Sequence, residues 1–239
     1  MRYSHLAVLS LLSIVLGYFL FEFKNHEYFY IGAILSGILI SAITLSTLLN
    51  NKNKITPLIL LFIILGIYAL FIESLSITTG YPYSYFTYGN NLGYKIFGLV
   101  PWTIFLIWPS LTLISYKALD FLIIPKIMSF VIALLILDLI FDPGATALGF
   151  WNWENPGMYY GVPFLNFVGW IISAIISYVF IKFIIGKLNY PKSLKFLYLS
   201  NLLLWSTVNF RFGFMIPVLL GIFVSTIIIY TIIKNEKIT

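Results

Sequence analysis

Residues 138–170 read DLIFDPGATALGFWNWENPGMYYGVPFLNFVGW, in which an aromatic connection joins an acid-bearing apolar run to a second apolar run. Residues 73–108 follow the same order, with an acid, then a glycine and aromatics from seven residues later, then a Val-Pro step. A tryptophan follows each of the two prolines by seven residues. This shared order of acid, glycines, proline and tryptophan predicts an internal duplication, with copies at about 56–116 and 118–186.

The composition indicates an integral membrane protein. Of the 239 residues, 61% are hydrophobic and 9% are charged, whereas about a quarter of the residues in soluble domains are charged. Lipid must therefore be the solvent for most of the surface. The lack of cysteine excludes disulfides, thiolate catalysis and cysteine-ligated metals. The chain has only two histidines, His5 and His26, which argues against a zinc, haem or di-iron site. This argument does not exclude a magnesium ion bound by carboxylates.

Apolar runs near the length of about 20 residues that a spanning helix needs occur eight times along the chain. They cover residues 5–23, 28–49, 56–72, 97–116, 118–141, 164–181, 196–209 and 213–233. No small-residue cleavage site follows the first run, so we predict a retained span there rather than a signal peptide. The sequence thus predicts an all-α polytopic membrane bundle of about eight transmembrane helices, forming one integral membrane domain over residues 1–239.

The basic residues predict the orientation of this bundle. With eight spans, 11 of the 14 Lys and Arg residues fall on one side: Arg2, Lys52, Lys54, Lys117, Lys126, Lys182, Lys187, Lys192, Lys195, Lys234 and Lys237. The other side holds the remaining 3, which are Lys24, Lys95 and Arg211. The positive-inside rule then predicts a multi-pass cell-membrane protein with both termini cytoplasmic. The net charge of +6 comes from basic residues in the connections between apolar runs, where they set the orientation, so no nucleic-acid partner is expected.

In this topology the two copies cross the membrane in the same direction. The long connections at 74–96 and 143–163 then both lie on the outer side. Pro101 and Pro163 suit the first turn of the returning helices, where no intrahelical N–H is lost. The sequence predicts a parallel repeat that encloses a cleft at the outer face, with membrane lipid around it.

Four of the eight acidic residues lie in or beside the repeats: Glu73, Asp138, Asp142 and Glu154. Asp138 and Asp142 are four apart on one predicted helix, so they share a face and differ by about 6 Å in depth. Two carboxyl groups that close in a low-dielectric setting cannot both ionise cheaply, so one is expected to carry a proton. Other roles remain open for these acids. Such acids can face water or cap a helix, and Asp142 could end the fifth span before Pro143. Asp138 could serve only to join two helices through hydrogen bonds.

Aromatic residues crowd the two outer connections: Tyr81, Tyr83, Tyr85, Tyr88, Trp151, Trp153, Tyr159 and Tyr160. Tyr and Trp at this depth commonly form an interfacial belt. A belt does not require the same spacing after an acid in both copies, however, and aromatic faces beside a carboxylic acid can stabilise a carbocation. Asn166 is a candidate to orient a substrate or a water, with helix packing as its alternative role.

These residues resemble the membrane carotenoid hydratases, a family that includes archaeal bisanhydrobacterioruberin hydratases and bacterial 1',2'-hydratases of acyclic carotenoids. The resemblance covers about residues 56–186 and is most specific in the second copy. It rests on Glu73, Thr79-Gly80-Tyr81-Pro82-Tyr83, Asp138, Asp142-Pro143, Trp151-Asn152-Trp153, Tyr160-Gly161-Val162-Pro163 and Asn166-Phe167-Val168-Gly169-Trp170.

The resemblance implies that water is added across the terminal carbon–carbon double bond of a lipophilic carotenoid, without a cofactor. The acid chemistry agrees with this, since an acid can protonate the alkene and water can capture the tertiary cation. The predicted catalytic residues are Asp138 or Asp142 as proton donor and Glu73 as partner or water-orienting base. The predicted substrate-binding residues are Tyr83, Tyr85, Trp151, Trp153, Glu154, Asn166 and Trp170.

Two other functions remain open from the sequence. The second copy is also similar to membrane-bound lycopene cyclases, which protonate the same bond but close a ring. Those enzymes carry a Pro-x-Glu-Glu signature where this chain has Pro163-Phe164-Leu165-Asn166, and the missing acids favour hydration. A small transporter or carotenoid-binding membrane protein would also use repeats with acids in the membrane.

Overall fold

The computed structural model describes residues 3–49, 55–186, 191 and 193–236. Within these residues it contains eight α-helices: α1 Tyr3–Glu22, α2 Phe29–Leu49, α3 Ile55–Thr79, α4 Ile104–Ala118, α5 Lys126–Ala147, α6 Phe164–Ile184, α7 Leu194–Phe212 and α8 Met215–Glu236. Four short strands lie in the connections: β1 Phe86–Tyr88, β2 Lys95–Ile96, β3 Val100–Pro101 and β4 Trp151–Trp153.

The fold is the predicted all-α membrane bundle, and the protein is a multi-pass membrane protein. Five helices are long and apolar enough to cross a bilayer: Phe29–Leu49, Ile55–Thr79, Lys126–Ala147, Phe164–Ile184 and Met215–Lys234. Two further apolar helices, Val8–Glu22 and Ile104–Ala118, are shorter. The polar residues of α7, among them Lys195, Asn201 and Asn209, lower its hydropathy. Eight spans therefore stay a prediction, while eight helices are observed in the described chain.

Several predicted helix boundaries were wrong. Helix α3 continues to Thr79, beyond the predicted end at 72, so Glu73 lies inside the helix. Helix α4 begins at Ile104 instead of 97, because β2 and β3 pair before it. Helix α5 begins at Lys126 instead of 118, because Pro125 is extended and precedes the first turn.

Helix α5 also continues through Pro143 to Ala147, so Asp142 does not end it. Proline has no N–H to donate to the carbonyl four residues earlier, which is that of Leu139. The hydroxyl of Tyr159 donates to this carbonyl oxygen instead, at 2.9 Å. A side chain from the following connection thus satisfies the backbone that the proline leaves open, as the apolar interior of a membrane protein requires.

The helices α3, α4, α5 and α6 form one group, and α7 packs against α1, α4, α5 and α8. Helix α2 packs on α4, where Ser41 Oγ donates to the Leu106 carbonyl at 3.0 Å. Helix α1 approaches α7 closely at Gly17. A Cβ added there would lie 2.4 Å from the carbonyl oxygen of Leu204, so only glycine allows this contact.

The two long connections, which follow α3 and α5, pair with each other, and the sequence does not predict this pairing. Strand β1 runs antiparallel to β4, with Phe86 opposite Trp153 and Tyr88 opposite Trp151. Side chains alternate between faces along a strand, and these four side chains lie on the buried face. The paired strands therefore form an aromatic cap over the ends of α3 and α5.

Charged contacts join helix ends on each side of the bundle. Arg211 at the end of α7 donates to the carboxylate of Glu22 at the end of α1. At the opposite ends, Asp120 contacts Lys117 at 2.9 Å and Lys195 at 2.5 Å. Six of the basic residues behind the predicted orientation lie outside the described residues, namely Arg2, Lys52, Lys54, Lys187, Lys192 and Lys237.

Candidate active site

Two acids on α5 and one amide on α6 form a buried polar cluster. Nδ2 of Asn166 donates to Oδ2 of Asp142 at 2.6 Å and lies 3.2 Å and 3.3 Å from the two oxygens of Asp138. The exposed fractions are 0% for Asp138 and 2% for both Asp142 and Asn166. The spacing of four residues puts both acids on one face of α5. The extended Pro163 directly precedes α6, so Asn166 lies in the first turn of that helix.

The carboxyl groups of Asp138 and Asp142 also interact directly with each other. An ionised carboxylate only accepts hydrogen bonds, so a bond between two carboxyl groups needs a proton on one of them. Asp142 lines a cavity, whereas Asp138 lies behind it and is fully buried. The arrangement thus has one acid that faces open space and a second acid that supports it.

The third acid, Glu73, reaches the same cavity from α3. Its carboxyl group interacts with the hydroxyl of Tyr88 in the cap. Burial and the neighbouring Glu73 carboxylate raise the pKa of Tyr88 well above its ordinary value, so this phenol stays protonated and remains a donor. Glu73 is partly exposed, in contrast to the two aspartates.

A second polar group connects the cap with α3 and α6. The hydroxyl groups of Tyr83 and Ser173 are 2.6 Å apart, and Tyr68 donates to the same Ser173 oxygen at 2.9 Å. The ring of Tyr83 lies directly on Gly169, where an added Cβ would come within 2.3 Å of a ring carbon. The glycine at this position of α6 therefore allows Tyr83 to be buried against the helix.

Aromatic rings form the walls around the acids. In the cap, the ring centroids of Phe86 and Trp153 are 5.1 Å apart, and those of Tyr88 and Trp151 are 6.0 Å apart. Across the bundle, Trp108 of α4 meets Trp170 of α6 edge to face at 5.0 Å. Aromatic faces attract positive charge through the ring quadrupole.

The cavity has a volume of about 330 Å³ and is mostly apolar. Trp108 and Trp151 line the cavity, and their indole N–H groups are buried without a hydrogen-bond partner among the described residues. The indole of Trp153 differs, since it donates to Thr146 at 3.1 Å. A buried donor without a partner carries a desolvation penalty, which a bound water or ligand oxygen would relieve.

The structure brings together most of the predicted site residues. The cavity is lined by Glu73, Tyr83, Asp142, Trp151, Trp153, Asn166 and Trp170, and Asp138 supports it from behind. Tyr85 and Glu154 lie elsewhere: Tyr85 is 42% exposed, and its carbonyl accepts the backbone N–H of Glu154, which is also exposed. Both side chains lie just outside the pairing of β1 with β4 and face away from the cavity.

The sequence analysis missed Tyr88 and Phe86 as wall residues. The signal was present, since Phe-x-Tyr and Trp-x-Trp put large rings on one face of a strand. From the sequence, Tyr88 is one of the interfacial aromatics, because the sequence predicts no strand there. Within the described ranges, no group of three or more His, Asp or Glu side chains is placed to hold a metal ion.

Comparison with known proteins gives two matches that agree with each other. The family model for "Carotenoid biosynthesis protein" matches residues 30–228. The chain is also similar to bisanhydrobacterioruberin hydratase of Haloarcula japonica, with 30% identity over 171 residues. This match covers 66% of the chain and 58% of the relative, so the chain spans less than two thirds of the relative's length. No solved structure matches the chain.

Proposed function

The chain belongs to the carotenoid biosynthesis protein family, and on this premise we propose that it is a carotenoid hydratase. The proposed reaction adds water across the terminal carbon–carbon double bond of an acyclic carotenoid end and yields a tertiary alcohol. The observation that carries the proposal is the acid pair Asp138–Asp142, held by Asn166 at an aromatic-walled, mostly apolar cavity. The similarity to a relative named as a hydratase supports it.

The first step is protonation of the alkene by Asp142, the member of the pair that lines the cavity. The O–H bond of the carboxyl group breaks, and the π electrons of the terminal double bond form a C–H bond at the less substituted carbon. The other alkene carbon becomes a tertiary cation. A positioned general acid commonly contributes about 10² to 10⁴ in rate.

Asp138 and Asn166 act as positioning residues in this proposal. Asn166 donates to both carboxyl groups and so fixes their geometry. Asp138, which does not line the cavity, shares a proton with Asp142 and stabilises the carboxylate that forms when Asp142 gives its proton away. The pair is thereby ready to take back a proton later in the cycle.

The rings around the cavity stabilise the cation and keep bulk water from it. Trp151, Trp153 and Trp170 line the cavity together with the acids. Their faces attract positive charge, and the apolar wall limits contact between the intermediate and bulk water. Trp153 is fixed by its bond to Thr146, so its ring orientation is set before substrate arrives.

The second step is capture of the cation by a single held water. The water oxygen forms the C–O bond while Glu73, oriented by Tyr88, accepts the proton that the water loses. The unpartnered indole N–H of Trp151 is a donor for one lone pair of this water, which leaves the other lone pair for the cation. Return of the proton from Glu73 to the aspartate pair completes the addition, with no net proton gained or lost.

Product analysis in a pigmented host tests this proposal. We expect expression of the chain in cells that accumulate acyclic carotenoids to yield polar products heavier by one water per modified end. A product of unchanged mass with a shorter chromophore would indicate ring closure, as in the cyclases. An unaltered pigment profile would instead indicate binding or transport.

The acid assignment has its own test within the same assay. Asp142→Asn is expected to lower turnover by about a hundredfold or more, because the donor facing the substrate is removed. Asp138→Asn keeps a hydrogen-bonding group behind Asp142 and is expected to lose less activity. Equal activity of Asp142→Asn and the unmodified chain, at equal amounts of folded protein in the membrane, would refute the donor role.

A further inference from the structure

The cavity continues far beyond the acids, along α1, α2 and α7. Its distant wall is mainly apolar and includes Leu9, Leu20, Ala33, Ile43, Leu197 and Leu204. The described charged residues among all those that line it are Glu73 and Asp142, at one end. The remainder is therefore an apolar groove, which we call the α1–α2 groove.

This groove opens towards the lipid between α1 and α2. Helix α1 packs on α7 and α2 packs on α4, while α1 and α2 make little contact with each other. Leu12 and Leu16 of α1 line the groove and are 52% and 50% exposed. Leu39 and Ile43 of α2 also line it and are 56% and 40% exposed. Side chains that belong both to the groove and to the outer surface of the bundle mark a lateral opening.

Three polar side chains along the groove donate hydrogen bonds to carbonyl groups of their own helices. Ser13 donates to the Leu9 carbonyl at 2.8 Å, and Ser36 donates to the Ala33 carbonyl at 2.7 Å. Asn201 likewise donates to the Leu197 carbonyl at 2.9 Å. The wall thus offers apolar contact and no cation, so it suits a hydrocarbon chain rather than a lipid phosphate.

The length of the groove fits a linear occupant. Between Leu9 and Leu20 of α1 the helix rises about 16 Å, at 1.5 Å per residue. Between Ala33 and Ile43 of α2 it rises about 15 Å. Helix α2 begins at the side of the bundle where α3 and α5 end, so the groove runs from the acids on that side towards the opposite face of the membrane.

We infer that the α1–α2 groove binds the polyene shaft of the substrate, which enters sideways from the lipid between α1 and α2. This inference rests on the proposed function, because the terminal double bond of the same molecule must reach Asp142. A cavity of about 330 Å³ encloses only part of a long carotenoid, so the rest of the chain has to leave through an opening. The opening that the described residues provide is the apolar one, and it continues directly from the acids.

A bulky side chain that fills the groove should slow the turnover of long substrates but not that of short ones. Ser36→Trp adds an indole at the groove, while the matched control Leu35→Trp adds one on the lipid-facing side of the same helix, where Leu35 is 57% exposed. The substrates are a full-length acyclic carotenoid and a short acyclic isoprenoid with the same terminal double bond. We expect Ser36→Trp to lower turnover of the long substrate about tenfold or more, since the shaft can no longer be positioned.

The same variant should hydrate the short substrate at a rate within about twofold of the unmodified chain, and Leu35→Trp should hydrate both normally. Equal loss with both substrates, or an unchanged rate with the long one, would overturn the inference. If Ser36→Trp does not fold, Ser13→Phe fills the groove from α1, with the lipid-facing Leu11→Phe as its control and the same expectations. Failure of the unmodified chain to hydrate either substrate would instead refute the proposed function.

Discussion

The amide of Asn166 holds two carboxyl groups at once, and this one side chain explains the geometry of the site. Its Nδ2 lies 2.6 Å from Asp142 and 3.2 Å from Asp138, in a place where none of the three side chains is more than 2% exposed. Carboxyl groups so deep in a membrane bundle are costly unless they are paired, so such groups commonly serve function.

The indole N–H of Trp151 is expected to affect the ratio of products. Trp151→Phe keeps the ring in the cavity wall but removes the unpartnered N–H donor. We expect a lower yield of tertiary alcohol and a larger share of isomerised alkene, because the cation loses a proton when no water is held beside it. Chromatography and mass spectrometry of the products measure this ratio.

Trp102→Phe is the control for that variant, because Trp102 is half-buried and does not belong to the cavity wall. It should leave the product ratio unchanged. The same ratio in Trp151→Phe and the unmodified chain would contradict the role given to the indole in holding water.

At the residue scale the sequence predicted the acids better than the rings. Acids are scarce in this chain, and the spacing of four residues between Asp138 and Asp142 already placed them on one face. Tyr85 and Glu154 were chosen by position in a loop, where the direction of a side chain depends on pairing with another segment. Tyr88 lies on the buried face of β1 and lines the cavity, whereas Tyr85 lies before the strand and does not line it.

At the element scale, the long apolar runs predicted the helices well because lipid requires every backbone group of a span to be paired within it. The pairing of β1 with β4 is a contact between segments about 65 residues apart and leaves only a short alternation in the sequence. The continuation of α5 past Pro143 also depends on a partner outside the helix, the hydroxyl of Tyr159.

Loss of that hydroxyl should weaken the C-terminal end of α5. Tyr159→Phe leaves the Leu139 carbonyl without its donor, and we expect a cost of about 1 kcal/mol in the free energy of unfolding. A lower thermal unfolding midpoint in detergent would report it. The control is Tyr94→Phe, since Tyr94 is 80% exposed. Identical midpoints for the two variants would show that the Tyr159 hydroxyl does not support the helix.

At the scale of the whole molecule, the connection between α4 and α5 is tied to the start of α7 through Asp120. Burial raises the pKa of Asp120, but hydrogen bonds and charge from Lys195 and Lys117 outweigh it, so the pKa of the folded state lies below the ordinary value of 3.8. A carboxyl group with a lowered pKa stabilises the fold above its unfolded-state pKa and loses this contribution as the pH falls through the folded-state value.

The stability of the protein should therefore decrease as the pH is lowered below about 3.8, through protonation of Asp120. In Asp120→Asn this part of the pH dependence should be absent. Thermal unfolding in detergent from neutral to acidic pH measures both. A parallel decrease in the two proteins would assign the acid sensitivity to other groups.

We further propose that both termini are cytoplasmic, as the distribution of basic residues predicts. The chain has no native cysteine, so single cysteines can report sidedness without background. Tyr94→Cys in the first long connection should react with an impermeant thiol reagent from outside intact cells. Ile123→Cys, in the connection between α4 and α5, should react only after permeabilisation. The reverse pattern would invert the orientation.

The fold class and the helices of the whole molecule followed from composition and hydropathy, whereas the predicted duplication into copies at 56–116 and 118–186 stays a prediction. The long cavity between α1, α2, α4 and α7 could not be foreseen, because it arises from which helices pack together. Apolar runs alone do not show which helices pack together, since all faces of such helices are similarly apolar.

The origin of the atoms added to the substrate tests the hydratase proposal most directly. The purified protein would be incubated with an acyclic carotenoid in water enriched in heavy oxygen and deuterium, and the products analysed by mass spectrometry. The proposed hydration predicts a tertiary alcohol that carries one heavy oxygen and one carbon-bound deuterium per modified end. A product that gains deuterium but no oxygen, or a substrate recovered without label, would contradict it.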